Sequence, residues 1–276
     1  MDHAATGTST PFADLDRMPA PMLTMLIDAL AEMARHPEIR RVRRAGLDAL
    51  RPGPGMRLLD AGCGGGEVAR ELAAIAGPEG AVTALDYSAA TIEAARSRHD
   101  GVAVDYVRGD VTQLHLPSGS IDGVWCERVL QHVAEPDRAI GEFLRVVRPG
   151  GRICLIDTDW QSLAFDGMPG GLTEAVRSHL LGSFTDGQRD MGRTLRGRLV
   201  RAGLTTVTAR PVTMVFDAPA SAAVVLPVVN PMVPAETGMW PPGDVRDAWL
   251  AEAGRAGERG DFLAVLTMWV VAGTVR

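Results

Sequence analysis

The chain contains no lysine: all 28 of its basic residues are arginine, and 34 acidic residues outnumber them to leave a formal net charge of −6. That balance provides no basic field to hold a phosphodiester backbone, which argues against a DNA or tRNA substrate and for a small molecule. Cysteine is scarce as well. Cys63, Cys126 and Cys154 show neither paired nor C-x-x-C spacing, so free buried thiols and a cytoplasmic compartment are expected. Long apolar runs are also missing. The stretch from Met22 to Leu30 is broken by Thr24 and Asp28, and Met1 to Thr10 is too polar for a secretory signal. Nothing approaches the roughly 20 apolar residues that span a bilayer, and a soluble protein without a membrane partner is expected.

What the chain does have is glycine at chosen places. Leu58-Leu59-Asp60-Ala61-Gly62-Cys63-Gly64-Gly65-Gly66-Glu67 reads as a short apolar strand, a glycine-dense turn and the start of a helix. Glycines at 62, 64 and 66 let a ligand approach the backbone, and the helix beyond offers its first amide groups. A dinucleotide fingerprint would need a fourth-spaced glycine where this chain has Glu67. A carboxylate there opposes a pyrophosphate and tolerates a ligand with a cationic end.

Three more segments fall into step with that turn. Val82-Thr83-Ala84-Leu85-Asp86 is a second strand ending in a carboxylate that can accept hydrogen bonds from ribose hydroxyls. Val104 to Asp110 is a third strand ending in Gly109-Asp110, and Arg145-Val146-Val147-Arg148-Pro149-Gly150-Gly151 turns a helix into a further strand. In this combination the chain resembles the class I S-adenosylmethionine-dependent methyltransferases over roughly residues 55 to 160. The resemblance implies S-adenosylmethionine as cofactor and S-adenosylhomocysteine as product. It also implies a cofactor site made by Asp60, Gly62, Gly64, Gly66, Asp86, Tyr87, Gly109, Asp110, Val111 and Glu127.

The coarse pattern is an α/β one. Helical spacing runs from Pro21 to Met33 and from Ile39 to Leu50, and Arg51-Pro52-Gly53-Pro54-Gly55 ends the second helix. Strands and helices then alternate to Asp157, which predicts a Rossmann-like, mostly parallel sheet with helices on both faces and ligands beyond the carboxyl ends of the strands. Residues 158–188 read as an insertion carrying a helix from Thr173 to Phe184. A helix from Met191 to Ala202, a strand from Thr206 to Phe216 and a last strand from Leu266 to Val275 complete the core, the last pair being antiparallel. The expected organisation is therefore lid and cap helices over 1–50, a core over 51–216 and 263–276, and a proline-broken cap over 217–262 without helix or strand. Residues 1 to about 18, small, polar and proline-containing, read as a disordered segment or a mobile lid.

Methyl transfer from a sulfonium needs alignment and exclusion of water more than acid–base chemistry. A hydroxyl nucleophile still gains from a base, and His132, after the fourth strand, is the candidate, with packing or cofactor contact as its alternative role. Asp157 is the second candidate: some natural-product sugar O-methyltransferases place a histidine and an aspartate at these two positions. It can equally cap the next turn. Asp159 and Trp160 are candidates for the acceptor pocket, as are Met232, Met239 and Trp240, an adaptable Met-rich surface suited to a bulky apolar acceptor. His36 and His179 read as solvated surface residues, and Trp125 as core. No metal constellation is visible, since Thr158-Asp159-Trp160-Gln161 offers one acid where a catechol-type magnesium site would need several.

The reading is thus a metal-independent methyltransferase acting on a medium-sized organic acceptor, with O-methylation of a secondary metabolite favoured and a homodimer compatible with it. C- or N-methylation of a quinone-like molecule ranks lower, because Gln131-His132 stands where the quinone C-methyltransferases have Arg-Asn. A protein that binds the cofactor without consuming it, as a cyclase or structural module, would carry the same core. A nicotinamide oxidoreductase is opposed by Glu67 and the Gly109-Asp110 pair.

Overall fold

The computed structural model describes residue 16 and residues 18–98, 101–184, 187–235 and 238–276. The polar lid expected over 1 to about 18 lies almost entirely outside the described residues. Two helices come first, α1 (Ala20–Arg35) and α2 (Pro37–Leu50). Between them the backbone of His36 is extended, and its Nδ1 accepts the Glu38 amide at 3.2 Å, capping α2 ahead of Pro37 at the first helical position. His36 Nε2 also meets Ser221 Oγ at 3.0 Å, so this histidine is a joint rather than the solvated residue expected.

The core follows as β1 (Arg57–Ala61), α3 (Glu67–Ala76), β2 (Ala81–Asp86), α4 (Ala89–Ser97), β3 (Asp105–Arg108), β4 (Ile121–Glu127), α5 (Pro136–Val146) and β5 (Val147–Asp166). Then come α6 (Gly170–Ser183), α7 (Met191–Arg201), β6 (Thr205–Phe216), α8 (Pro219–Val225), α9 (Val245–Arg259) and β7 (Leu263–Thr274). The strands form a seven-stranded sheet in the order β3-β2-β1-β4-β5-β7-β6. β1 to β5 are parallel, and β7 runs antiparallel between β5 and β6.

Alternation along the strands feeds two cores. Leu58, Trp125 and Ile156 point to the side of α2 and α3, while Leu59, Val124 and Leu155 point to the side of α5 and α7. Both sets are buried, as a sheet covered on both faces requires. Gly46 of α2 sits against Trp125 and Ile156, which lets that helix lie close to the sheet.

Two expectations need correction. β5 does not stop at Asp157 but continues to Asp166 along β7, so the first part of the supposed insertion is sheet. Asp159 pairs with Thr267 and Ala164 with Val265, which leaves residues 160–163 standing out opposite Leu266 as a bulge. Ser162 Oγ fastens it by donating to the Asp159 carbonyl at 2.6 Å and accepting the Thr267 amide at 2.8 Å. Arg177 of α6 adds bonds to the carbonyls of Leu163 and Gln161.

The segment 217–262 also contains helices, α8 and α9, whose buried residues join the apolar cluster on the α2 and α3 side of the sheet. Trp249 of α9 is fully buried, meets Phe165 edge-on at 5.0 Å and donates its indole N–H to the Val228 carbonyl at 2.7 Å. The prolines that suggested an irregular chain start α8 at Pro219 and a short 3₁₀ turn at Pro227. Among the described residues no helix is long and apolar enough to cross a membrane.

Candidate active site

At the carboxyl end of β1 the glycine turn is folded tightly against the end of β2. The amides of Gly62 and Cys63 both donate to the Leu85 carbonyl, at 2.7 and 2.9 Å, and the Gly64 amide donates to Asp86 Oδ2 at 2.9 Å. Gly62 and Gly66 hold φ near +80°, and a side chain on Gly62 would overlap Val129. Asp86 Oδ1 accepts the Ser88 amide at 3.1 Å and Thr91 Oγ1 at 3.0 Å. Its carboxylate thus shapes the turn, and Oδ2 has lone-pair capacity left for a ligand hydroxyl.

The ends of β2 and β3 are tied together beside it. The Gly109 amide donates to the Asp86 carbonyl at 2.9 Å, and Asp110 Oδ1 takes the Thr112 amide and hydroxyl, each at 2.8 Å. Val111 is buried behind them. Tyr87 lies at the rim, 62% exposed, with its carbonyl bonded by Arg108 Nε at 3.2 Å. Arg108 also pairs with Asp16 at 3.2 Å, and Asp16 accepts Ser88 Oγ at 2.7 Å.

On the other side of the turn is a cluster of buried charge. The Glu127 side chain is 5% exposed and pairs with Arg43 of α2 at 2.8 Å and with Arg128 at 3.3 Å. Burial alone would raise its carboxyl, but the two guanidinium groups outweigh burial and hold it below the usual range. Asp60, 2% exposed, is pushed up to about 8 by burial and then by the charge of Glu127, and its Oδ2 has no hydrogen-bond partner. Sequence reasoning did not identify Arg43. The signal was there, since Arg43 falls in the inward stripe Ile39, Gly46, Leu50 of α2, where a charged residue needs a buried partner. Outside this cluster, α1, α2 and α3 enclose an open cavity of about 1060 Å³ bounded by Ala31, Arg43, Leu47 and Glu67.

A 3₁₀ turn over Leu130–His132 follows β4. The imidazole of His132 is pushed down to about 4 by burial, with the Arg128 charge adding to the effect, so it is neutral at neutral pH. Asp157, 1% exposed, accepts the Gln131 amide at 3.1 Å and the Thr158 amide at 2.9 Å. Burial pushes it up to about 7 against those two bonds. Asp157 therefore pins the turn that carries His132.

Gln131 Oε1 in turn accepts the Trp160 indole N–H at 3.0 Å, and Trp160 stacks on Phe184 with centroids 5.4 Å apart. Asp159 pairs with Arg193 of α7 at 2.7 Å, and its Oδ1 has no hydrogen-bond partner. Hydrogen bonds thus join Asp157, the His132 turn and Trp160. The other proposed acceptor contacts are spread differently: Trp240 is buried under Arg246, Met239 packs against the apolar cluster that the cap shares with one sheet face, and Met232 is 69% exposed.

The comparisons with known proteins agree with this geometry. A family described as "Methyltransferase domain" matches residues 59–155, which run from β1 through the glycine turn into β5. Over these residues the chain carries a methyltransferase domain of the class I S-adenosylmethionine-dependent kind. An uncharacterized 37.1 kDa protein of the Streptomyces fradiae transposon Tn4556 is 34% identical over 246 residues, 89% of this chain and 70% of that protein. A demethylmenaquinone methyltransferase of Renibacterium salmoninarum is 32% identical over 151 residues, 52% of this chain and 62% of that enzyme, so the match spans less than two thirds of its length. The solved phosphoethanolamine N-methyltransferase 2 of Haemonchus contortus, in complex with S-adenosyl-L-methionine, has the same fold: TM-score 0.54, 17% identity, 86% of this chain and 53% of that one.

The methyltransferase cofactor is S-adenosylmethionine. The residues at the glycine turn suit it. Glycines keep side chains out of the cradle, and the unpartnered Oδ2 of buried Asp60 with the Glu127 carboxylate nearby matches a cationic amino group.

Proposed function

We propose that this methyltransferase alkylates a hydroxyl oxygen of a medium-sized organic acceptor, a secondary metabolite, using His132 as the residue that receives or orients the hydroxyl proton. S-adenosylmethionine, when bound, supplies a methyl carbon on a positively charged sulfur. The remaining tasks belong to the chain. Asp86 and Asp110 take the ribose and adenine ends, with Tyr87, Gly109 and Val111 around them. Glycines 62, 64 and 66 line the amino-acid end, where Asp60 and Glu127 receive the ammonium and Arg43 the carboxylate. In this reading the buried Arg43–Glu127 pair holds the place of the zwitterion.

The observation that carries the acceptor side is the bonded chain from Asp157 through Gln131 to Trp160. It fixes the turn bearing a neutral imidazole next to an aromatic wall. A neutral imidazole can take up a hydroxyl proton, whereas a protonated one cannot. Asp157 acts as a positioning residue, and Asp159, Trp160, Met232, Met239 and Trp240 are assigned to the acceptor side. α1, α2 and the segment carrying α8 and α9 form the cap that excludes water.

The test is turnover of methyl-labelled S-adenosylmethionine with a panel of hydroxylated, amino and quinone acceptors, on the wild type and on His132→Ala. Label on a hydroxylated acceptor, lost in the variant while S-adenosylhomocysteine affinity is kept, supports the reading. Equal loss of cofactor binding in the variant would remove His132 from the acceptor side, and label only on carbon or nitrogen would replace O-methylation.

A further inference from the structure

The cavity between α1, α2 and α3 is charged in a way that the cofactor does not explain. Six arginines and four carboxylates line it. Some of this charge is internally matched: Arg98 pairs with Asp28 at 3.3 Å and with Glu67 at 3.2 Å, Arg70 lies 3.9 Å from Glu67, and Arg43 is taken by Glu127 behind the wall. Arg35, Arg40 and Arg44 are left. Among the described residues no carboxylate lies within ion-pair distance of any of the three, although all face the same space. Arg40 and Arg44 stand one turn apart on α2, and Arg35 closes the cavity from the end of α1.

Only Glu32 and Glu71 oppose them, so cationic groups remain in excess inside a chain whose net charge is −6. Three unpaired guanidinium groups against two carboxylates leave one positive charge in excess, and a concave recess focuses such a field on an incoming anion. S-adenosylmethionine carries one carboxylate against a sulfonium and an ammonium, and a surplus of guanidinium groups repels it. Two residues that line the recess also border the glycine turn: a side chain on Gly65 would meet Glu67 Oε1 at 2.6 Å and Arg98 at 2.9 Å. An anion bound here would therefore lie beside the amino-acid end of the cofactor site.

We infer that this recess binds an oxyanion of the acceptor, a phosphate or carboxylate group received by Arg35, Arg40 and Arg44, so that the acceptor is an anionic metabolite. Guanidinium forks bind both groups in bidentate fashion. The inference rests on the methyltransferase reading, and the two are tested separately.

Inorganic pyrophosphate and citrate are titrated calorimetrically into the protein saturated with S-adenosylhomocysteine, and into the Arg40→Glu/Arg44→Glu double variant; Arg35→Glu is the second variant. The expected result is saturable binding of one or both anions, weakened about tenfold or more by the double variant, with S-adenosylhomocysteine affinity changed less than about threefold. Which anion binds more tightly distinguishes phosphate from carboxylate recognition. Absence of binding, equal binding to both variants and wild type, or binding seen only without S-adenosylhomocysteine would overturn the inference. Failure of S-adenosylhomocysteine itself to bind would instead sink the underlying reading. Because Arg35, Arg40 and Arg44 are exposed, the variants are expected to keep the wild-type melting temperature, which checks that any loss is local.

Discussion

Replacing Arg43 by methionine probes the site where stability and cofactor recognition meet. The aliphatic stem is retained and the guanidinium is lost, so Glu127, with 5% of its side chain exposed, keeps only Arg128 at 3.3 Å. Removing one partner of a buried pair costs about 3–5 kcal/mol, and the surviving Arg128 contact puts this case near about 3 kcal/mol. Urea unfolding at about pH 7.5 reads that loss as a lower midpoint at unchanged slope. The same variant also loses the proposed carboxylate receiver. A hydrogen bond to a charged group contributes about 1.5–3 kcal/mol, so S-adenosylhomocysteine should bind roughly 10- to 150-fold more weakly. The double variant Arg43→Met/Glu127→Gln should recover part of the stability, since no buried carboxylate is left short of a partner, but none of the affinity. A midpoint within about 0.5 kcal/mol of wild type would refute the buried pair as a stabilising element. Unchanged affinity would refute Arg43 as the carboxylate receiver.

Further outcomes follow from the buried acids and the tight packing. Asp60 titrates near 8 without ligand, and an ammonium beside it favours the ionised form, so binding of S-adenosylhomocysteine near pH 7.5 should release protons. Calorimetric enthalpies in buffers of different ionisation heat measure that release, and identical enthalpies would contradict it. His132, about 4 in the fold against 6.5 in the unfolded chain, binds fewer protons folded than unfolded between those values, so its contribution to stability falls as pH drops through that window. At about pH 5 the deficit is roughly 2 kcal/mol, and His132→Gln should remove that part of the pH dependence from urea midpoints. Gly192→Ala would bring a methyl group to 2.5 Å from the Asp157 carbonyl oxygen, which is backbone and cannot rotate away. It should cost about 1–3 kcal/mol in unfolding experiments, whereas Gly254→Ala, with open space around it, should not.

The alternation of strands and helices to Asp157 was legible in the chain because each parallel strand is a short apolar run closed by a polar or glycine turn. Leu58-Leu59, Val82 to Leu85 and Val124 to Cys126 all have this form, and the acids Asp60, Asp86 and Glu127 mark their ends. The long β5 was not legible. Trp160 to Leu163 breaks the period-2 pattern, and only the hydrogen bonds of Ser162 and Arg177 reveal that the strand resumes beyond a bulge. α9 was hidden for a different reason. Its sequence is polar and contains two glycines, and its order depends on Trp249 packing against Phe165, a contact across 84 positions of chain. At the site, the glycine turn and its acids are local motifs. Arg43 lies in another element, and its partner becomes evident only when α2 is laid on the sheet.

In the proposed function, the carboxyl edge of β1, β2 and β4 binds the adenosyl cofactor through the glycine turn and Asp86. Calorimetric titration of S-adenosylhomocysteine into the wild type and Asp86→Ala tests it most directly. Binding at one site per chain is expected in the wild type, with a loss of at least about tenfold in the variant and no heat from nicotinamide dinucleotides in either. Saturable binding of a nicotinamide dinucleotide, or S-adenosylhomocysteine binding indifferent to Asp86→Ala, would contradict it.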